Sequence, residues 1–129
     1  LQGVKLSLFD IRNPNKPTEI HKVTVGTRGT SSPANRNHHA FTSLSMRGTS
    51  TTRIAIPISV VEESDQYKRK DGLHRFEVDR AKRRIKHLGA MKPLNGGNSW
   101  WSWDSQDRSI IIGNKLYYYH NGHFWQGVW

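Results

Sequence analysis

The sequence predicts an all-β fold of antiparallel strands. No window sustains an apolar i, i+3, i+4, i+7 pattern for more than two turns, so helices are not expected. Short runs rich in Val, Ile, Thr and aromatic residues recur, each bounded by Gly, Asn or Pro, as strands are. Near the C-terminus two tight turns, Gly113-Asn114 and Asn121-Gly122, follow in tandem and predict a three-stranded meander.

In chain order, Val4 to Asp10 alternates with Val4, Leu6 and Leu8 on one face. The stretch from Arg12 to Pro17 is a turn, because each Pro fixes φ and lacks a donor for a ladder. Thr18 to Val25 is a second strand, with Val23 and Val25 on one face and Ile20 on the other, ending at Gly26. Gly26 to Asn37 reads as a loop, and Ala40-Phe41 begins the next strand. Arg53 to Val61 is nearly continuously apolar, as expected of a strand covered on both faces, and Pro57 places it at an edge or a bulge. Glu62 to Asp71 reads as a charged connection, followed by strands at Leu73–Asp79 and Arg84–Leu88. Ser109–Ile112, Lys115–His120 and His123–Gln126 form the meander.

At 129 residues the chain holds a single domain with one modest core. Without cysteine it has no disulfide framework, no thiol nucleophile and no Cys-ligated zinc. No apolar run reaches 18 residues, so no membrane span is read. Leu1 to Lys5 show no basic n-region and apolar h-region, so no signal peptide is read in this chain.

Twenty Lys and Arg against ten Asp and Glu give a net charge of +10, with a pI near 10.3. Lys68 to Lys86 carries nine bases (Lys68, Arg69, Lys70, Arg75, Arg80, Lys82, Arg83, Arg84 and Lys86) and three acids. Such a cluster could bind a polyanion with salt-dependent counterion release, or face an acidic protein partner. It could equally be a solvated hairpin whose charge serves solubility. Stacking aromatics are sparse within it, which argues against a single-strand nucleic-acid platform.

The chain has an internal echo. An apolar strand ending in Asp10, a turn, and a second strand closing on Gly26 recur as a strand ending in Asp79, a turn, and a strand closing on Gly89. Antiparallel strands at this density, without helices, suit four-stranded propeller blades. The expected division is 1–26 as the end of one blade, 38–89 as one blade, and 100–129 as most of a further one.

Several segments carry a family resemblance: Gly3 to Ile11 with Asn13-Pro14 and Pro17, Val25 to Ser32, and Asn37 to Phe41. It continues through Ile54 to Ile58, Phe76 to Asp79 and Arg108 to Tyr117. In order, over nearly the whole chain, these resemble bacterial and archaeal secreted proteins with a C-terminal β-propeller distantly related to WD repeats. The family pattern has Asp where this chain has Asn37, so no carboxylate role carries over there. The resemblance implies an extracytoplasmic setting and a partial β-propeller of about two to two and a half blades. It also implies partners, either the remaining blades or copies of this chain, three of which would close a six-bladed ring.

Candidate site residues follow. Trp100, Trp101, Trp103, Trp125 and Trp129 could form a partner-binding or sugar-stacking platform, or pack between blades. His120 and His123 flank the Asn121-Gly122 turn as a cross-strand pair and could share a metal with His38 or His39. Otherwise they are exposed turn residues, while one of His38 and His39 could bond a blade-to-blade backbone group. As strand neighbours His38 and His39 would point to opposite faces. Gly26 to Thr30 could cradle an anion through backbone N–H groups, but lacks a P-loop ending and following helix, and reads better as a structural loop. No catalytic motif and no cofactor motif is present in the sequence. The expected function is a structural and interaction module of a larger propeller, with a basic polyanion-binding module as the alternative.

Overall fold

The computed structural model describes residues 2–63, 65–91, 106–120 and 122–129, and of 65–68 the backbone alone. Among the described residues nine strands form three antiparallel sheets. Sheet 1 pairs β1 (Val4–Asp10) with β2 (Thr18–Val25). Sheet 2 holds β3 (Thr42–Ser45), β4 (Thr51–Glu62), β5 (Asp65–Asp79) and β6 (Arg84–Ala90) in that order. Sheet 3 holds β7 (Arg108–Ile112), β8 (Lys115–His120) and β9 (His123–Val128).

The apolar run of β4 explains how the sheets stack. Strand side chains alternate faces. Ile54, Ile56, Ile58 and Val60 pack toward sheet 1, where Val4, Leu6, Leu8, Val23 and Val25 meet them, joined by Phe76, Val78 and Ile85. Ala55 and Leu73 point the other way, into a second core with Met91, Ile111, Leu116, Tyr118 and Trp125. Sheet 2 is therefore apolar on both faces and sits between its neighbours. β2 lies against β6 and β3 against β7, so equivalent strands of successive sheets are neighbours.

Pro57 sits within the ladder of β4, opposite Leu73 of β5. β3 covers β4 as far as Ala55, so Pro57 lies just where that coverage has ended. Beyond it, Ser59 exchanges both backbone hydrogen bonds with Ser31 (3.1 and 2.9 Å), and the carbonyl of Pro57 accepts from Ser32 Oγ at 2.6 Å. The ring's missing N–H therefore points to a locally uncovered edge, as a strand proline requires.

Two expected boundaries are corrected. Residues 65–71, read as a charged connection, belong to β5, which runs 15 residues and pairs Lys70 with Val60 and Arg69 with Val61. Backbone pairing holds these polar residues in strand against their propensity. Ala40 does not begin a strand: His38–Ala40 is a short 3-10 turn in which Asn37 Oδ1 accepts from the His39 N–H at 3.1 Å. At the meander, Gly113 has φ of 56°, the left-handed conformation that the first position of a two-residue hairpin turn requires.

Candidate functional site

A polar joint lies between sheets 2 and 3. Alternation along β8 directs Leu116, Tyr118 and His120 to one face, and Asp107, just before β7, meets the last two. Asp107 Oδ2 accepts from the Tyr118 hydroxyl at 2.7 Å, and Asp107 Oδ1 lies 2.9 Å from His120 Nδ1. All three residues are buried, and the Tyr118 and His120 rings stack at 5.5 Å. Burial, reinforced by the Asp107 carboxylate, pushes the Tyr118 hydroxyl well above the ordinary tyrosine range. Across the joint, Ser59 and Asp71 help enclose a cavity of about 20 Å³ with Pro33, Pro57 and Gly72.

Serine, histidine and aspartate thus share one cavity, which raises nucleophilic chemistry. Ser59 Oγ makes no hydrogen bond to the His120 ring, and a space this small admits no substrate. The arrangement fixes the sheets against each other.

The expected histidine roles change. His120 is buried in this joint and is not an exposed turn residue; its register partner His123 is exposed. His38 is exposed elsewhere, its ring 4.0 Å from that of His39, so the two rings meet instead of pointing apart. Among the described residues no group of three His, Asp or Glu is placed to hold a metal, and the three-histidine site is not assembled. The imidazole that bonds a neighbouring sheet's backbone is His21, whose Nδ1 accepts from the Ile85 N–H at 2.9 Å. Its signal was present in the sequence, because His21 alternates with Val23 and Val25 on their buried face.

A second histidine pair joins β5 to β6, with His74 buried and His87 at the exposed rim. His74 Nδ1 is 2.9 Å from His87 Nε2, and the His87 ring lies between those of His74 (5.2 Å) and Phe76 (4.7 Å). Burial, with His87 as the second cause, pulls His74 down to about 4, and burial followed by Arg75 lowers His87.

Of the tryptophans, 100, 101 and 103 lie outside the described residues. Trp125 is buried in the second core. Trp129 donates from Nε1 to Glu77 Oε1 at 3.0 Å, with the Arg53 guanidinium 5.1 Å from its ring centre. These two pack between sheets 2 and 3 and form no surface platform. The exposed apolar row is on the opposite face of sheet 3: Ile110 (59% exposed), Ile112 (61%), Phe124 (78%) and Val128 (57%). The outer face of sheet 1 is more mixed, with Phe9 (50% exposed) beside Lys5, Ser7, Lys22 and Thr24, and with Lys5 paired to Glu19 at 2.7 Å.

The basic cluster is divided. Ten residue steps, about 33 Å at 3.3 Å each, separate Lys70 in β5 from Arg80 just beyond its end. Arg69 donates to the Gly29 carbonyl at 3.1 Å and Lys70 pairs with Glu62 at 3.0 Å; the Lys68 side chain lies outside the described residues. At the other end Arg80 donates to Thr52 Oγ1 at 2.5 Å, Arg83 pairs with Asp10 at 2.9 Å, and Lys82 and Arg84 flank it, exposed. Lys86 stands opposite Glu77 in the β5–β6 register. The Gly26–Thr30 loop directs its groups inward. The Thr27 N–H and hydroxyl both donate to the Val61 carbonyl, and Thr30 Oγ1 accepts from the Val61 N–H, so few donors remain for an anion.

A complete four-stranded antiparallel sheet, flanked by two- and three-stranded sheets stacked face to face, defines a partial β-propeller. The family described as Beta propeller domain matches residues 1–126, and the chain belongs to that family. No curated protein matches it significantly. No solved structure does either.

Proposed function

We propose that this chain is a structural and interaction module of a larger β-propeller, offering the free face of sheet 3 to a further blade. The observation behind this is the exposed set of Ile110, Ile112, Phe124 and Val128 on one sheet face, with Tyr117 and Tyr119 beside them and Lys115 between Ile112 and Val128. The outer face of sheet 1 makes a poor mate for it, because head-to-tail copies would press the Lys5–Glu19 pair against aliphatic side chains and strip its water. The blade on sheet 3 is therefore one of different sequence with an aliphatic or aromatic face. This reading includes an extracytoplasmic setting, for which the support is the resemblance to secreted propeller proteins.

Replacing Ile112 and Phe124 together by Glu tests this. The expected result is a folded chain that no longer co-sediments with the partner chain carried by the wild type as first isolated. A wild type isolated with no partner chain contradicts it.

A second reading, polyanion binding, is favoured by a different observation. The β1–β2, β3–β4, β5–β6 and β7–β8 turns lie at one end of the three sheets, and they bring Arg12, Lys16, Arg47 and Lys115 to the same end as Arg80 to Arg84, with Asp10 and Asp79 among the acids there. Heparin retention that is lost in Lys82→Glu with Arg84→Glu, and kept in Arg69→Glu with Lys70→Glu, is the expected outcome. Retention unchanged by the first pair removes this reading.

A further inference from the structure

We propose that the cavity between sheets 2 and 3 is a binding site for one internal water molecule, which bridges Ser59 Oγ and Asp71 Oδ1. The two residues are direct cross-strand partners on β4 and β5. Because the N–H and carbonyl of Ser59 are both committed to Ser31, this is a non-hydrogen-bonded pair, the type in which side chains stand closest. Ser59 is 3% exposed, yet its hydroxyl has no hydrogen-bond partner among the described residues, and neither has the buried Asp71 Oδ1. Both residues line the same cavity. Two unmet polar atoms on cross-strand partners, with no hydrogen bond between them, call for a third group.

Size and ligand count identify that group. A water needs roughly 10–15 Å³ of such space and two to four polar partners. The cavity offers about 20 Å³, room for one molecule. A calcium or magnesium ion needs about six or more oxygen ligands. Here the Asp107 oxygens are already engaged by Tyr118 and His120, and among the described side chains of the lining the oxygens left are one carboxylate oxygen and one hydroxyl. Such a pair suits a water that donates to Asp71 and exchanges a hydrogen bond with Ser59. It ties β4 to β5 beside the Asp107–Tyr118–His120 joint, whose residues line the same cavity.

The test is a high-resolution crystal structure of the full chain, with magnetic relaxation dispersion of water in solution. Density about 2.6–3.2 Å from both Ser59 Oγ and Asp71 Oδ1 is expected. Ser59→Ala with Asp71→Ala should then lose one long-lived water per chain. A direct Ser59–Asp71 hydrogen bond, an ion with short contacts to several oxygens, or an unchanged count of long-lived waters in the double variant would each overturn the proposal. If the variant does not fold, the wild-type density decides.

Discussion

His21 Nδ1 accepts the backbone N–H of Ile85 at 2.9 Å, so a side chain of sheet 1 completes the hydrogen bonding of a buried strand residue in sheet 2. The contact spans 64 positions of sequence and acts as a polar rivet inside an otherwise aliphatic interface. His21→Ala leaves the Ile85 donor unmet, which costs about 1–3 kcal/mol. Urea denaturation at neutral pH checks this; an unchanged midpoint would mean that water replaces the ring at no cost.

The His74–His87 pair makes the fold acid-sensitive. His74 titrates near 4 in the folded chain and near 6.5 when unfolded, so between these values the unfolded chain binds the extra proton. Stability is therefore complete above about pH 6.5 and declines as the pH falls to 4, where the loss levels off. For His74 this loss is on the order of 3 kcal/mol. The His87 shift has the same sign and adds to it. Denaturation midpoints between pH 7 and 4 should fall steeply in the wild type and less in His74→Gln. Parallel profiles would contradict this.

Tyr118→Phe removes the hydroxyl that caps Asp107 Oδ2. The buried carboxylate then lacks one of its two donors, and a loss of about 1–3 kcal/mol is expected. Phe76→Ala, which empties the centre of the first core, should cost more, about 3–5 kcal/mol. Equal losses would mean that the polar joint contributes as much as the core.

Much of the architecture was legible because its signals are local. The meander followed from Gly113-Asn114 and Gly122, where the turns demand residues that tolerate positive φ. Ile54 to Val61 announced a strand covered on both sides, which it is. What escaped depends on pairing or stacking. The Asp65–Asp71 stretch is polar and gains its strand from β4. Asn37, by capping the His39 N–H, closes a 3-10 turn where alternation pointed to a strand. The basic run of 68–86 looked like one patch because sequence proximity hides the length of β5, which carries its two ends to opposite ends of the sheet. His120 looked exposed beside its turn, and only the stacking of sheet 3 on sheet 2 buries it against Asp107.

The most direct test of the central claim is native mass spectrometry of the chain as first isolated, before any high-salt step. A module that offers the apolar face of sheet 3 to further blades is predicted to appear in complexes heavier than one chain, and Ile112→Glu with Phe124→Glu to release it from them. A folded species of 14.9 kDa, unchanged by that double substitution, would contradict the account.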